Sequence, residues 1–174
     1  MPRFALLLLL LAGMGAQPCR AELSELQIKS AYIFNFIKFV EWPTDAAKPG
    51  GKLRLCVVGN DKLRASLAAL DGRKLRDREL QIMPHTGSDA LHACHVLYID
   101  GPEKRRFIPI IKSLGDAPTL TISDIPGFAE RGGCIGLLYR DNKMLFEVNL
   151  ASARKAGLQL SGQMLNLAAN IFGR

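Results

Sequence analysis

Leu53-Arg54-Leu55-Cys56-Val57-Val58-Gly59-Asn60-Asp61-Lys62 is the stretch on which the fold turns. Its first six residues are a β-rich run, Gly59-Asn60-Asp61 ends it, and Leu63, Leu67 and Leu70 then follow at helical spacing. The stretch reads as a strand, a tight loop with an Asn or Asp cap, and a helix. Asp71-Gly72 stops that helix. Downstream, Glu79-Leu80-Gln81-Ile82-Met83 alternates like a strand, and after a polar loop His95-Val96-Leu97-Tyr98-Ile99 is a second, buried one. Strand, helix, strand, loop or short helix, strand is the rhythm of a parallel sheet with both faces covered.

Pro102 to Leu114 is a helical stretch with proline at its first turn and again at Pro109. An interior proline costs about 3 kcal/mol, so a kink or a restart is expected there. Pro118 to Ser123 is another strand, and Ile135 to Tyr139 faces Met144 to Asn149 across Asp141-Asn142, an antiparallel hairpin. Ala151 to Ala156 is a helix stopped by Gly157. The last helix is expected from about Gly162 to Phe172, with Leu165, Ala168 and Phe172 on one stripe and Met164, Leu167 and Ile171 on a second, so that two of its three faces are buried.

At the other end, Ala31-Tyr32-Ile33-Phe34-Asn35-Phe36-Ile37-Lys38-Phe39-Val40-Glu41-Trp42-Pro43 belongs to a helix from about Leu26 that is apolar nearly all round, with only Gln27, Asn35 and Lys38 gathered on one side. Such a helix must be covered on most of its surface. It is too short and too interrupted by polar groups to cross a bilayer, so its cover is protein: the rest of the domain, a second copy or a partner. Trp42-Pro43 ends it, because the residue before a proline is pushed out of the helical region. The expected architecture is one α/β domain over residues 22–174, a central mixed sheet flanked by helices, with the first and last helices packed together.

The 174-residue chain is 48% apolar and 22% charged, the composition of an ordinary globular domain rather than a disordered one. Residues 1–21 read as a signal peptide: Arg3, an unbroken leucine run from Leu6 to Leu11, and Cys19-Arg20-Ala21 before the cut. Removing them takes away Arg3 and Arg20 and no acid, so the formal net charge falls from +7 to +5. The basic clusters at Arg73-Lys74, Arg76, Arg78 and at Lys104-Arg105-Arg106 have no aromatic platform among them, and an exported protein meets little nucleic acid, so they read as a solvated face.

The sequence holds no phosphate-binding glycine loop, no nucleophile elbow and no zincin helix, so neither an enzyme nor a cofactor is expected. His92-Ala93-Cys94-His95 is the one dense cluster of metal-type ligands, but consecutive strand residues point to opposite faces and the nearest further ligand, His85, is distant, so no metal is expected. Three cysteines survive export, Cys56, Cys94 and Cys134. Cys56 and Cys94 lie on or at the start of strands of one sheet, close enough for a bridge if those strands are neighbours and otherwise two buried thiols. Cys134 is read as unpaired. Trp42 stands at a turn, where an aromatic is either a lid on the core or an exposed partner anchor. Arg154 reads as a helix C-terminal cation facing the dipole or, equally, as a grip for an anionic ligand.

The run from Ala31 to Pro43, with Cys94-His95-Val96-Leu97-Tyr98-Ile99, Leu120-Thr121-Ile122-Ser123-Asp124, Gly127-Phe128-Ala129, Gly132-Gly133, Phe146-Glu147-Val148-Asn149-Leu150, Ala153-Arg154, Gly157-Leu158 and Ser161, Gln163 and Leu165, resembles the YfiR family. The resemblance implies an exported periplasmic α/β protein, often a homodimer, that represses a membrane-bound diguanylate cyclase by binding its periplasmic sensor region. Cyclic di-GMP output, and so biofilm formation, rises when the repressor misfolds or is sequestered, as by an outer-membrane protein. It also implies that Cys56 and Cys94 form a core disulfide that keeps the repressor competent. The family's second, local cysteine pair is absent, which leaves Cys134 as a candidate for intermolecular pairing. The rival reading is a periplasmic receptor for a small anionic metabolite, held by the loop after Gly59 or near Arg154.

Export gives the first test: the secreted protein should begin at Glu22, and an intact mass that retains Met1 to Ala21 would remove the compartment argument with it.

Overall fold

The computed structural model describes residues 24–43, 51–84, 88–141 and 143–174. The proposed signal peptide and His85 lie outside them. The elements run α1 (Glu25–Lys38), β1 (Val40–Glu41), β2 (Lys52–Val58), α2 (Asp61–Leu67), β3 (Lys74–Leu75), β4 (Arg78–Ile82), β5 (Val96–Ile99), α3 (Phe107–Leu114), β6 (Leu120–Ser123), β7 (Ile135–Arg140), β8 (Lys143–Asn149), α4 (Leu150–Lys155), β9 (Gln159–Leu160), α5 (Gly162–Leu167) and β10 (Asn170–Phe172). One eight-stranded mixed sheet has the order β10-β8-β7-β6-β5-β2-β4-β3, and β1 pairs with β9 in a separate two-stranded ribbon.

The five parallel strands β4, β2, β5, β6 and β7 form the middle of the sheet, with β2 and β5 adjacent in the register Cys56↔Leu97. Their side chains alternate between two cores, as strand geometry requires. Leu53, Leu55 and Val57 join Leu63 and Leu67 of α2 and Ile33, Phe36 and Ile37 of α1 on one face. Cys56, Leu97 and Ile99 join Phe107, Ile110 and Leu114 of α3 on the other. Helices on opposite faces are what the two crossovers, β2 to β4 and β5 to β6, demand of a parallel sheet.

Local chemistry sets the helix starts. Ser24 and Gln27 close a capping box at α1, while Asn60, Asn149 and Ser161 cap α2, α4 and α5 by accepting from backbone amides. Pro109 is tolerated because α3 restarts at Phe107, after a 3-10 segment Gly101–Arg105, which puts the proline in the first turn, where no intrahelical bond is lost. At Gly133 any side chain is excluded: a Cβ would lie 2.0 Å from the fully buried Phe128 ring.

Three expectations need correction. α1 stops at Lys38, before the Trp42-Pro43 break, and the next residues extend to pair β1 with β9. The C-terminal helix ends at Leu167, and residues 170–172 are a strand parallel to the end of β8 rather than a further turn. The two-sided burial expected for that helix therefore fails, and Leu167 is 67% exposed. The helix packed on α1 is α2, joined to it by the Ser30 hydroxyl donating to Ser66 at 3.0 Å, while α5 faces α1 across a groove.

Cys56 and Cys94 are bridged, with Cα atoms 5.9 Å apart, across the boundary between the two central strands. Cys134 is free but only 3% exposed, and burial raises its thiol pKa. Intermolecular pairing through it requires the fold to open first, because the thiolate is the reactive form. Closing so long a loop stabilises a fold by roughly 3 to 4 kcal/mol. Reduction is thus expected to lower the melting temperature of the parent by about 10 °C and to leave a Cys56→Ser, Cys94→Ser variant unchanged, as differential scanning fluorimetry would read; equal losses in both would assign the effect elsewhere.

Candidate functional site

Two regions offer a site, and they differ in how far the chain already satisfies them. The first is the carboxyl end of the parallel strands between β2 and β5, where the strand order reverses and open α/β sheets usually bind ligands. Here the chain fills the crevice itself. Asn60 donates to Asp100 at 3.0 Å while its Oδ1 caps α2, and Lys29 of α1 donates to Asp124 at 2.6 Å and reaches Glu25 at 2.7 Å. A Cβ at Gly59 would meet Glu103 at 2.8 Å. The anion site expected after Gly59 is therefore occupied by the protein's own polar network.

Lys29 is a structural ion at this end. Burial acts to lower its pKa, but the hydrogen bonds and charges of Asp124 and Glu25 outweigh it and the net shift is upward. Burial first, then the nearby Asp124 and Asp100, push the Tyr98 phenol far above its ordinary range, so it stays neutral.

The second region is the groove between α1, β8 and α5. It has a cavity of about 400 Å³, walled by Tyr32, Phe36 and Phe39 on one side, Met144 and Phe146 on its floor, and Met164 and Leu167 opposite. Phe36 stacks edge-on against Phe146 with centroids 4.9 Å apart, and Tyr32 against Phe36 at 5.9 Å. The Tyr32 hydroxyl donates to the Met144 carbonyl at 2.7 Å. That bond satisfies an acceptor at the end of β8 that β10 does not reach, since β10 pairs only with Glu147 to Asn149. The groove stays open because α5 ends at Leu167 and the chain leaves it as β10. Its polar side chains are Asn35, which accepts from Lys38 at 3.4 Å, and Tyr32, whose hydroxyl is held by the Met144 carbonyl. Such a surface suits apolar side chains.

The remaining sequence candidates take simpler places. Trp42 is 7% exposed, its Nε1 donates to the His95 carbonyl at 3.2 Å, and the Arg78 guanidinium lies 5.2 Å from its ring centroid. Of the two places the sequence left open for Trp42, lid or anchor, the ring takes that of a lid on the core and leaves little surface exposed. Arg154 is exposed in the last turn of α4, where it faces the helix dipole. His95 Nδ1 accepts from the Arg54 amide at 3.1 Å, Cys94 is bridged and His92 is exposed. Among the described residues no three His, Cys, Asp or Glu side chains converge on a metal position, and no helix is long and apolar enough to cross a membrane.

The YfiR/HmsC-like family model matches residues 26–169. The chain belongs to the YfiR/HmsC-like family. The match takes in both regions: the Lys29, Asn60 and Asp124 network and the whole groove from Tyr32 to Leu167. A crystal structure of a conserved domain protein from Vibrio cholerae O1 biovar El Tor is similar in fold, with a TM-score of 0.51 and 12% identity over 86% of this chain and 61% of that one. At that identity the likeness concerns the fold alone, and the chain spans about three fifths of that protein's length.

Lys29 is the residue of this family member most exposed to a quantitative test. Lys29→Met leaves Asp124 without its cation and is expected to cost about 2 kcal/mol by urea unfolding at pH 7, low in the range for a broken ion pair because Asp124 is partly hydrated. The pair's contribution is complete below the ordinary lysine pKa and is lost only as pH rises through the raised folded value, so parent and variant should converge in strong alkali and differ fully at neutral pH.

Proposed function

We propose that this protein is an exported, non-catalytic regulator that docks the periplasmic sensor region of a membrane-bound diguanylate cyclase through the groove between α1, β8 and α5, and so holds cyclic di-GMP synthesis down. One observation carries the reading: the aromatic side of α1, which must be covered, stays half-exposed at Tyr32 and Phe39, beside a Leu167 that is 67% exposed. Contiguous apolar surface of this kind marks interaction sites. Family membership supports a regulator, and the leucine-rich N-terminus supports export to the periplasm.

The occupant is an apolar segment of the cyclase sensor, of the kind that lays an i, i+3, i+4 set of side chains into a groove. The Lys38 ammonium, held against Asn35 at 3.4 Å, puts a cation at the rim, so the segment carries an acidic residue at that flank. The Cys56–Cys94 bridge keeps the repressor folded in an oxidising compartment. Homodimerisation and capture by an outer-membrane protein belong to the same reading.

Leu167→Asp isolates the claim, since an exposed site tolerates a carboxylate without loss of core packing. The variant should melt within about 2 °C of the parent, retain the cyclase at least tenfold less from detergent-solubilised membranes, and raise cellular cyclic di-GMP, because truncations at the centre of an interface commonly cost about 2 kcal/mol or more. Undiminished retention of the cyclase by Leu167→Asp would remove the groove from the interface.

A further inference from the structure

On the other side of the last turn of α1 lies a smaller cleft of about 130 Å³, which shares no lining residue with the groove. Val40, Trp42 and Leu75 give it an apolar wall, and Arg76 and Arg78 bring two guanidinium groups to it, while the Lys38 ammonium lies against Asn35 and the Phe34 ring instead; no carboxylate lines it among the described residues. The sequence alone made Arg76 and Arg78 part of a solvated basic face. The structure sets Arg78 differently. Its Nη1 is shut off from solvent with no hydrogen-bond acceptor, and its guanidinium lies over the Trp42 ring, 5.2 Å from the centroid. Arginine stays protonated in proteins, so this group cannot escape the cost of burial by losing its charge. Arg76, by contrast, is exposed: it meets Glu41 at 3.2 Å in a pair that is more than half exposed on both sides and donates to the Lys38 carbonyl at 3.4 Å, contacts worth little in water.

A guanidinium with one nitrogen shut off from solvent and without an acceptor, beside a second guanidinium and an aromatic wall, calls for an anion. A spherical or fully hydrated ion would leave the apolar wall unused. A short organic acid uses both halves: its carbon chain lies against Val40, Leu75 and the Trp42 ring, and its carboxylate takes the forked donors of Arg78 and Arg76. We propose that this cleft binds a small organic carboxylate, with Arg78 and Arg76 as its anion contacts and Trp42 as its wall. The chemistry differs from that of the apolar groove, so loss of one site leaves the other standing.

Trp42 is the only tryptophan in the chain, which makes its fluorescence a reporter placed in the cleft itself. Sodium succinate titrated into the mature protein should change that fluorescence saturably, while sodium chloride at matched ionic strength does not. The affinity should fall at least tenfold in Arg78→Gln. Should that variant fail to fold, Arg76→Gln serves, because Arg76 is exposed: succinate should raise the melting temperature of the parent and raise that of Arg76→Gln clearly less. A response no larger than that to chloride, or equal responses in the parent and both variants, would overturn the proposal. Saturation by inorganic phosphate but not by succinate would overturn the carboxylate assignment.

Discussion

An apolar sheet face with one aromatic helix laid over it is the constraint on which this molecule depends. α1 must bury Ile33, Phe36 and Ile37, and the only surface that accepts them is the face built by Leu53, Leu55 and Val57 with α2. Burying side chains of this size contributes about 1.5 to 3 kcal/mol each before entropy is counted. The helix is therefore fixed in position at its inner side whatever happens at its outer one. α2 and the sheet cover most of it, the β1-β9 ribbon ties down its exit, and α5 covers what is left only in part. The open groove follows from this arithmetic of lengths: α5 gives out at Leu167 and the chain is drawn away to add β10 to the sheet edge.

The opposite side of α1 shows how tightly its exit is tied to the centre of the sheet. Three successive carbonyls around the bridged Cys94 are each taken by a side chain from a different strand or loop: Ala93 by the Arg54 guanidinium, Cys94 by Thr119 at 2.9 Å and His95 by Trp42 at 3.2 Å. The disulfide fixes Cys94 to β2, and Trp42 carries that position to the end of α1. The bridge and the helix that forms one wall of the groove are thus joined through one hydrogen-bonded turn. At the far end of the sheet the ion pair of Lys29 with Asp124 fixes the other end of the same helix. A helix held at both ends and on one face presents its remaining aromatic residues in a single arrangement, which favours a preformed docking surface over one assembled on contact.

Much of the fold was legible because it rests on local patterns. The run Leu53 to Val58, the Asn60 cap, the hairpin about Asp141 and the stop at Gly157 carry their signals within a few residues. Residues 170–172 were misread for the same reason: Ile171 and Phe172 continue the helical spacing of Met164 and Leu165, and no glycine or proline marks the end at Ala168, which simply turns to an extended conformation. The pairing that makes them a strand comes from β8, more than twenty residues earlier. Lys29 was hidden because its partner Asp124 is 95 positions away. Arg78 looked like its exposed neighbours because nothing local distinguishes an arginine over a buried tryptophan from one in water. The bridge between Cys56 and Cys94 was left open by strand placement alone and supplied by family resemblance, whereas the groove could be inferred only as a helix with too much apolar surface.

The most direct measurement is hydrogen exchange on the mature protein with and without the purified periplasmic sensor region of the cyclase. Slowed exchange on binding is expected in the segments that wall the groove, residues 32–39, 143–147 and 162–168, with the crevice at residues 59–61 and 100–103 unchanged. Protection that falls on the crevice instead, or on no segment at saturating sensor, would contradict the groove as the surface through which this protein acts.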